Sequence, residues 1–407
     1  FAAGRLKVDR WRVHPRSHHV SVGALFMRDA RFRLDRPGGA AHSNLTDWIA
    51  ALGSGDTTAS GPPWVIQCRT FDIQRFHFSY DDHGEGQIPY GVDFDHVDVH
   101  HADVRGRDLV VIDDSVRAQL DHVAFKERSG LVLDHMDGNA QVSGRGIIVD
   151  GLQMVTPNSA VRGDLAFRTM DWSDYDRFTD AVDFDLALDT SKVCSRDIAF
   201  FAPPLEGLDV TMEVRGDYHG TVADLKGRNV DIGYGRETRF TGSIEMNGLP
   251  VIANTFIILD IDRLTTVRSD IASLPIAPFT SGEHMQVPAE LEALGPIVFR
   301  GNFTGFINSF TAFGRASSDL GILRADISFD RDTISRVFEL EGELATDGFD
   351  PGPLLRDPTL GPIACDLRLH AKGNDLASMR ADLDGKVPML TVNDHVVSGI
   401  RLNGRLE

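Results

Sequence analysis

The sequence predicts an all-β fold: a long, curved, antiparallel-rich sheet in meander order, with only a few short helices. Three observations predict it. Apolar and polar residues alternate with period two, the spacing that separates the two faces of a strand. Glycine breaks the alternation at short intervals, as at Gly216, Gly220, Gly227, Gly233, Gly235, Gly242, Gly248, Gly301, Gly305, Gly314 and Gly321, and most of these read as turns and bends that need positive φ. Helical periodicity is confined to short stretches. One wet face per strand suits antiparallel or curved sheets, because parallel strands packed between helices read as continuous apolar runs.

The elements follow in chain order. Ser43-Asn44 offers an N-cap and Gly53 a stop for a helix over 45–52. Residues 53–63 (GSGDTTASGPP) are small and polar and predict a loop. A strand over 71–80 runs into a second loop over 81–91 (DDHGEGQIPYG). Ser173 caps a turn through Tyr175 and Phe178. Val182, Phe184, Leu186 and Leu188 then alternate with Asp183, Asp185, Ala187 and Asp189. Leu208, Val210, Met212 and Val214 alternate with Asp209, Thr211, Glu213 and Arg215. Pro288 and Gly295 bracket a helix over 289–294, and residues 353–360 make one further turn. Ile363, Cys365, Leu367 and Leu369 alternate with Ala364, Asp366, Arg368 and His370, as do Ile400, Leu402 and Leu406 with Arg401, Asn403 and Arg405. Strand pattern of one kind flanks every loop, so residues 1–407 read as one continuous segment without an internal boundary.

Composition narrows the function. The chain holds 60 Asp+Glu against 41 Lys+Arg, a net charge of −19, with 42% hydrophobic residues. That apolar share excludes a disordered chain, and no apolar run approaches the roughly 18 residues of a membrane helix. The acidic balance excludes a phosphate-binding surface and with it a nucleic-acid partner. Cys68, Cys194 and Cys365 are far apart and odd in number, so they offer no disulfide framework or metal motif. The sequence opens on Phe1 and ends within an alternating pattern, and so reads as a segment of something longer.

Catalytic motifs are missing: there is no Gly-x-Ser-x-Gly elbow, His-Glu-x-x-His helix, Walker loop or complete dinucleotide fingerprint. No cofactor and no resident metal are expected, and what remains are softer constellations; carboxylate pairs at glycosidase spacing would arise in any chain with 60 acids and so carry no signal. His96, Asp98 and His100 at i, i+2 and i+4 would share a strand face about 7 Å apart, a spacing that can assemble metal ligands, while His101 points to the other face. Without a further ligand from elsewhere the stretch reads as a solvated face. Asp81-Asp82-His83-Gly84-Glu85 lacks the ligand spacing of a calcium loop and reads as an acidic connection. Carbohydrate sites use the polar handles of Tyr and Trp, yet the chain has 24 Phe against 5 Tyr and 4 Trp. Phe76 and Phe78 around His77, Phe184, and Phe303 and Phe306 fall on the apolar phase. They suit either an ordinary core or a lining for long hydrocarbon chains.

The order Trp64-Val65-Ile66, Phe78-Ser79-Tyr80-Asp81, Gly91-Val92-Asp93-Phe94 and Phe125-Lys126-Glu127-Arg128-Ser129-Gly130 resembles the TamB family as it occurs in Bacteroidota. Leu152-Gln153-Met154-Val155-Thr156-Pro157-Asn158-Ser159 and Asp197-Ile198-Ala199-Phe200-Phe201-Ala202-Pro203 extend the likeness, as do Gly248-Leu249-Pro250 and residues 294–305. Phe349-Asp350-Pro351-Gly352-Pro353-Leu354-Leu355 resembles the phenylalanine-glycine-leucine turn of AsmA-like proteins. The resemblance implies a periplasmic, non-enzymatic outer-membrane biogenesis factor, anchored in the inner membrane by an N-terminal helix that lies outside this segment. It implies a U-shaped groove that carries phospholipid between the two membranes, with an Omp85-type barrel as partner. The groove lining would then be Val182, Phe184, Leu186, Leu188, Leu208, Val210, Met212, Val214, Ile363, Leu367, Leu369, Ile400 and Leu402. Phospholipid acyl chains would cover these side chains at about 0.8 kcal/mol per buried CH₂. At about 4.8 Å per strand, roughly 20 to 30 strands would form a rod on the order of 100 to 140 Å. Two other assignments fit the pattern: a scaffold assisting outer-membrane β-barrel or autotransporter assembly, and a secreted β-solenoid adhesin or polysaccharide-active protein.

Overall fold

Alternating segments become strands because each has one face to hide and one to wet. The computed structural model describes residues 1–38, 62–170, 172–332, 334–335, 337–374 and 379–406. The helix expected over 45–52 and most of the loop expected over 53–63 lie outside these residues. The fold divides into two compact units, residues 1–210 with 218–222, and residues 211–217 with 223–407.

The first unit holds strands β1 (Ala2–Asp9), β2 (Arg12–His14), β3 (His19–Arg36), β4 (Val65–Asp82), β5 (Asp98–Ile112), β6 (Ser115–Glu127), β7 (Val132–Ser143), β8 (Gly146–Val155), β9 (Ala160–Arg168) and β10 (Asp183–Cys194). From β4 to β10 each strand pairs antiparallel with the next. At the start of the chain the order changes. β1 and β2 both pair antiparallel with β3, and β3 lies parallel to β4, with His19 opposite Val65 and Arg36 opposite Asp82. This parallel pair departs from the antiparallel pattern that the alternation predicts.

The strand β11 (Thr211–Gly220) is shared between the units. The second unit then runs through β12 (Asp224–Tyr234), β13 (Thr238–Asn247), β14 (Phe256–Thr266), β15 (Ile297–Phe306), β16 (Ser309–Ser318), β17 (Gly321–Arg331), β18 (Phe338–Phe349), β19 (Leu360–Gly373), β20 (Arg380–Val392) and β21 (His395–Leu406). Every successive pair from β12 to β21 is antiparallel.

Bulges shift the register within these ladders. They interrupt β4–β5 at residues 73–76, β5–β6 at 100–103, β7–β8 at 137–139 and β8–β9 at 149–152. Arg75 and His101 take positive φ there, at 51° and 52°. An extra residue on one strand bends it and sharpens its twist, so a series of bulges on neighbouring strands folds the sheet of the first unit along its width. Most of the glycines that read as turn residues lie inside strands instead. Gly227, Gly242, Gly301, Gly305 and Gly314 are strand residues. At Gly301 (φ 151°) a Cβ would overlap the carbonyl oxygen of Phe313 on the next strand, so the close approach of the two backbones demands glycine.

Helices are short connectors: 3₁₀ turns at Trp172–Arg177 and Ala289–Leu294, and α-turns at Phe178–Ala181, Ser195–Ala199, Arg268–Ala272 and Gly352–Leu355. The turns expected near Ser173 and over 289–294 are among them, and the one expected over 353–360 forms slightly earlier, at Gly352–Leu355. Residues 83–97 carry no strand.

Candidate functional site

The registers of the second unit place two apolar rows across ten strands. Gly227, Ile244, Leu259, Phe303, Ala312, Ile327, Gly342, Leu369, Leu383 and Gly404 stand opposite one another in turn from β12 to β21. The neighbouring row on the same face runs Val230, Gly242, Ile261, Gly301, Gly314, Ala325, Leu344, Leu367, Gly385 and Leu402. No polar side chain interrupts either row. At about 4.8 Å per strand each extends roughly 43 Å. An aromatic stripe lies beside them, with Phe310 4.8 Å from Phe303 and 5.1 Å from Phe329, and Phe329 6.1 Å from Phe338 between ring centroids.

The first unit repeats the device. Leu6, Met27, Ile73, Val104, Val123, Met136, Met154 and Val161 form one row over β1 and β3–β9. Beyond it Phe167 faces Phe184 and Leu165 faces Leu186.

Burial shows how these faces are covered. In the second unit Val230, Ile244 and Ile261 are buried. From β15 onward the row residues Phe303, Ala312, Ile327, Leu344, Leu367, Leu369, Leu383 and Leu402 are half-buried, while Asp326, Arg368, Asp384 and Asn403 on the other face are exposed. Sheet-on-sheet or helix-on-sheet packing would bury such rows fully.

Of the thirteen side chains expected to line a groove, ten are half-buried: Leu186, Leu188, Leu208, Met212, Val214, Ile363, Leu367, Leu369, Ile400 and Leu402. Three are closed off, with Val182 at 0%, Phe184 at 7% and Val210 at 9% exposure. Val182 is the residue that ends the Phe178–Ala181 turn, and Leu208 and Val210 precede β11. Ser195 holds that last segment, donating from Oγ to the Leu208 carbonyl (2.8 Å) and accepting the Val210 N–H (2.8 Å).

Connectors lie against parts of this face. In the first unit the segment after β9 folds back over the apolar face, so that Phe178 meets Phe167 at 5.5 Å and Phe94 and Phe201 at 6.5 Å each. Four further segments, around Val92, Arg128, Asn158 and Phe200, converge beside it. The Val92 N–H donates to the Phe200 carbonyl (2.8 Å), and Tyr90 stacks on Phe200 at 6.3 Å. Arg128 reaches Asp93 at 3.7 Å. Asp197 accepts from the Thr156 hydroxyl (2.7 Å), the Asn158 amide (3.0 Å) and the Ser159 hydroxyl. These short motifs, scattered in sequence, build one hydrogen-bonded plug.

The second unit has a comparable anchor at Asp270, which is buried at 5% exposure. Burial pushes its carboxyl upward, but the N–H groups of Glu237, Arg236 and Thr238 and the Thr238 hydroxyl outweigh that and hold it below the ordinary carboxylate value.

The polar faces carry the ionisable clusters. One cavity of about 380 Å³ is lined by Asp72, Gln74, Arg75, Asp103, Arg105 and His122. A larger one of about 870 Å³ in the second unit is lined by the ladder of Glu341, Glu343, Arg368, His370, Asp382 and Arg405, among others. Burial first, then Arg105 and His135, lower His122 below the usual histidine value; its Nδ1 lies 2.8 Å from Nδ1 of His135. His96 does not share a strand face with Asp98 and His100. It is buried in the turn before β5, with Nδ1 3.1 Å from Asp93. The residue that joins Asp98 and His100 is His77 of β4.

No family model, curated protein or solved structure matches this chain. Among the described residues no helix is long and apolar enough to cross a membrane.

Proposed function

We propose that the apolar face binds phospholipid acyl chains and that the chain acts, without catalysis, in outer-membrane biogenesis, as a periplasmic groove that carries phospholipid between the inner and outer membranes. The observation that carries this reading is the pair of uninterrupted apolar rows in the second unit, half-buried from β15 onward while Asp326, Arg368, Asp384 and Asn403 on the opposite face are exposed. A lone sheet layer that bends toward one face crowds the side chains on that face and splays those on the other, which yields this asymmetry without a covering layer. Acyl chains then supply the remaining burial, at about 0.8 kcal/mol per CH₂. Phe, Leu and Ile offer area without hydrogen-bond demands, and the Gly positions let a chain lie close to the backbone. The acidic opposite face keeps such a sheet soluble and discourages edge-to-edge pairing. The TamB resemblance supports the cellular setting.

Photo-crosslinking side chains at Leu186, Leu367 and Leu369 test it, with Glu213 and Arg368 as controls on the polar face. Phospholipid captured at the first three positions and absent from the controls is the expected result. Equal labelling of both faces, or none, overturns the proposal. Capture of polypeptide in place of lipid favours the scaffold for outer-membrane β-barrel proteins.

A further inference from the structure

We propose that His77, Asp98 and His100 form a binding site for a divalent transition metal of the zinc class, on the polar face of the first unit. The β4–β5 register explains how they meet. Phe76 pairs with Ala102 and Phe78 with Val99, so the single residue His77 stands opposite both His100 and His101. The positive φ of His101 absorbs the extra residue, and this bulge aims His100 at His77. The two imidazoles converge on one carboxylate oxygen: Nε2 of His77 lies 2.6 Å and Nε2 of His100 3.5 Å from Oδ1 of Asp98. Their rings are 4.7 Å apart, and all three donor atoms fall within 4.8 Å of one another.

Tetrahedral zinc with bonds of about 2.0–2.1 Å spaces its donors roughly 3.3–3.4 Å apart, so shifts of about an ångström complete the geometry. The support is built in. The Asp98 N–H donates to Glu127 (3.1 Å), and the Asp98 carbonyl accepts from the Arg128 N–H (2.9 Å), which fixes the carboxylate strand from the β6–β7 turn. The Arg75 N–H donates to Asp103 (2.8 Å), pinning the bulge before His77. The ligands' side chains are 33%, 30% and 42% exposed, leaving room for water as a fourth ligand. Two imidazoles and one carboxylate select borderline metals over magnesium or calcium, which prefer oxygen. Arg31 and Lys126 stand in register with His77 and His100 on the flanking strands and repel any dication alike, so binding rests on the bonds to the two imidazoles and the carboxylate.

Zinc chloride titrated into the metal-stripped chain, in competition with a fluorescent chelator, tests the assignment, with visible absorbance of bound Co²⁺ as the geometric readout. The expected result is a site that weakens at least about 100-fold in His77→Ala and in His100→Ala, a larger loss than second-layer changes produce. Asp98→Asn, which keeps the shape, also weakens it. His101→Ala and His122→Ala leave it unchanged. Far-UV circular dichroism establishes that each variant is folded. Affinity in both His77→Ala and His100→Ala within about twofold of the parent, or loss in His122→Ala instead, overturns the proposal.

Discussion

Aspartate placed at Val182 and at Leu186 separates a dry core from a face open to lipid. The two positions are four residues apart in the first unit and fall on the same alternating phase, yet their surroundings differ. Val182 has no exposed surface, whereas Leu186 is half-buried opposite Leu165. Val182→Asp loses the burial of a whole side chain, about 1.5–3 kcal/mol. It also puts a carboxyl where no water reaches, about 1–3 kcal/mol even once the group takes up a proton. The expected cost is roughly 3–6 kcal/mol, a large share of the stability of a typical domain. Leu186→Asp keeps its carboxylate at water and forfeits only part of a leucine's transfer energy, about 1 kcal/mol. Urea unfolding followed by circular dichroism reads the difference: with a slope near 2 kcal/mol/M, the midpoint falls by about 0.5 M for Leu186→Asp and by about 1.5–3 M for Val182→Asp. Lipid extraction of the folded Leu186→Asp protein then yields less phospholipid than the parent. A destabilisation of Leu186→Asp equal to that of Val182→Asp refutes the reasoning, because the face would then be an ordinary core.

Asp270→Asn exchanges a carboxylate oxygen for an amide group that opposes the N–H donors of residues 236–238, and should cost about 2–4 kcal/mol in urea unfolding. The folded carboxyl of Asp270 is held below its ordinary value. Its contribution is therefore complete above about pH 5 and is lost as the pH falls through the folded value; the stability gap between parent and Asp270→Asn should narrow as the pH drops from 5 toward 3, and a constant gap contradicts the assignment. Gly301→Ala should lose about 2–4 kcal/mol through overlap with the Phe313 carbonyl and its positive φ. Gly404→Ala, on the same face with open space around it, should be neutral, and equal effects at the two glycines count against the close-approach explanation.

Much of the second unit was legible in the sequence because hairpins of strict alternation leave little choice of register. Leu367, Leu369 and Leu402 fall on the apolar rows as their phase predicts. Val182 shares that phase but is fully buried at the end of the Phe178–Ala181 turn, and nothing in its own neighbours announces that burial. His77 was hidden for another reason: a bulge resets the period, so a face predicted from i and i+2 acquires a partner from a different strand. Asp270 is silent too, because its partners are mainly backbone donors, which every residue possesses. The glycines were legible as exceptions but not as strand residues, since the need for a missing Cβ arises from the strand beside them.

The parallel pairing of β3 with β4 has a bearing on the order in which the protein assembles. Most other ladders close between neighbours in sequence, as where Ser318 meets Gly321, and each such hairpin forms on its own once its turn does. The β3–β4 ladder must bring His19 to Val65, so the long chain between them is drawn closed before the first hydrogen bond repays it. The β1–β3 and β2–β3 pairings are as local as the hairpins from β4 onward, so the β3–β4 ladder alone carries this closure cost and is expected to be the seam that joins two separately formed sets of strands.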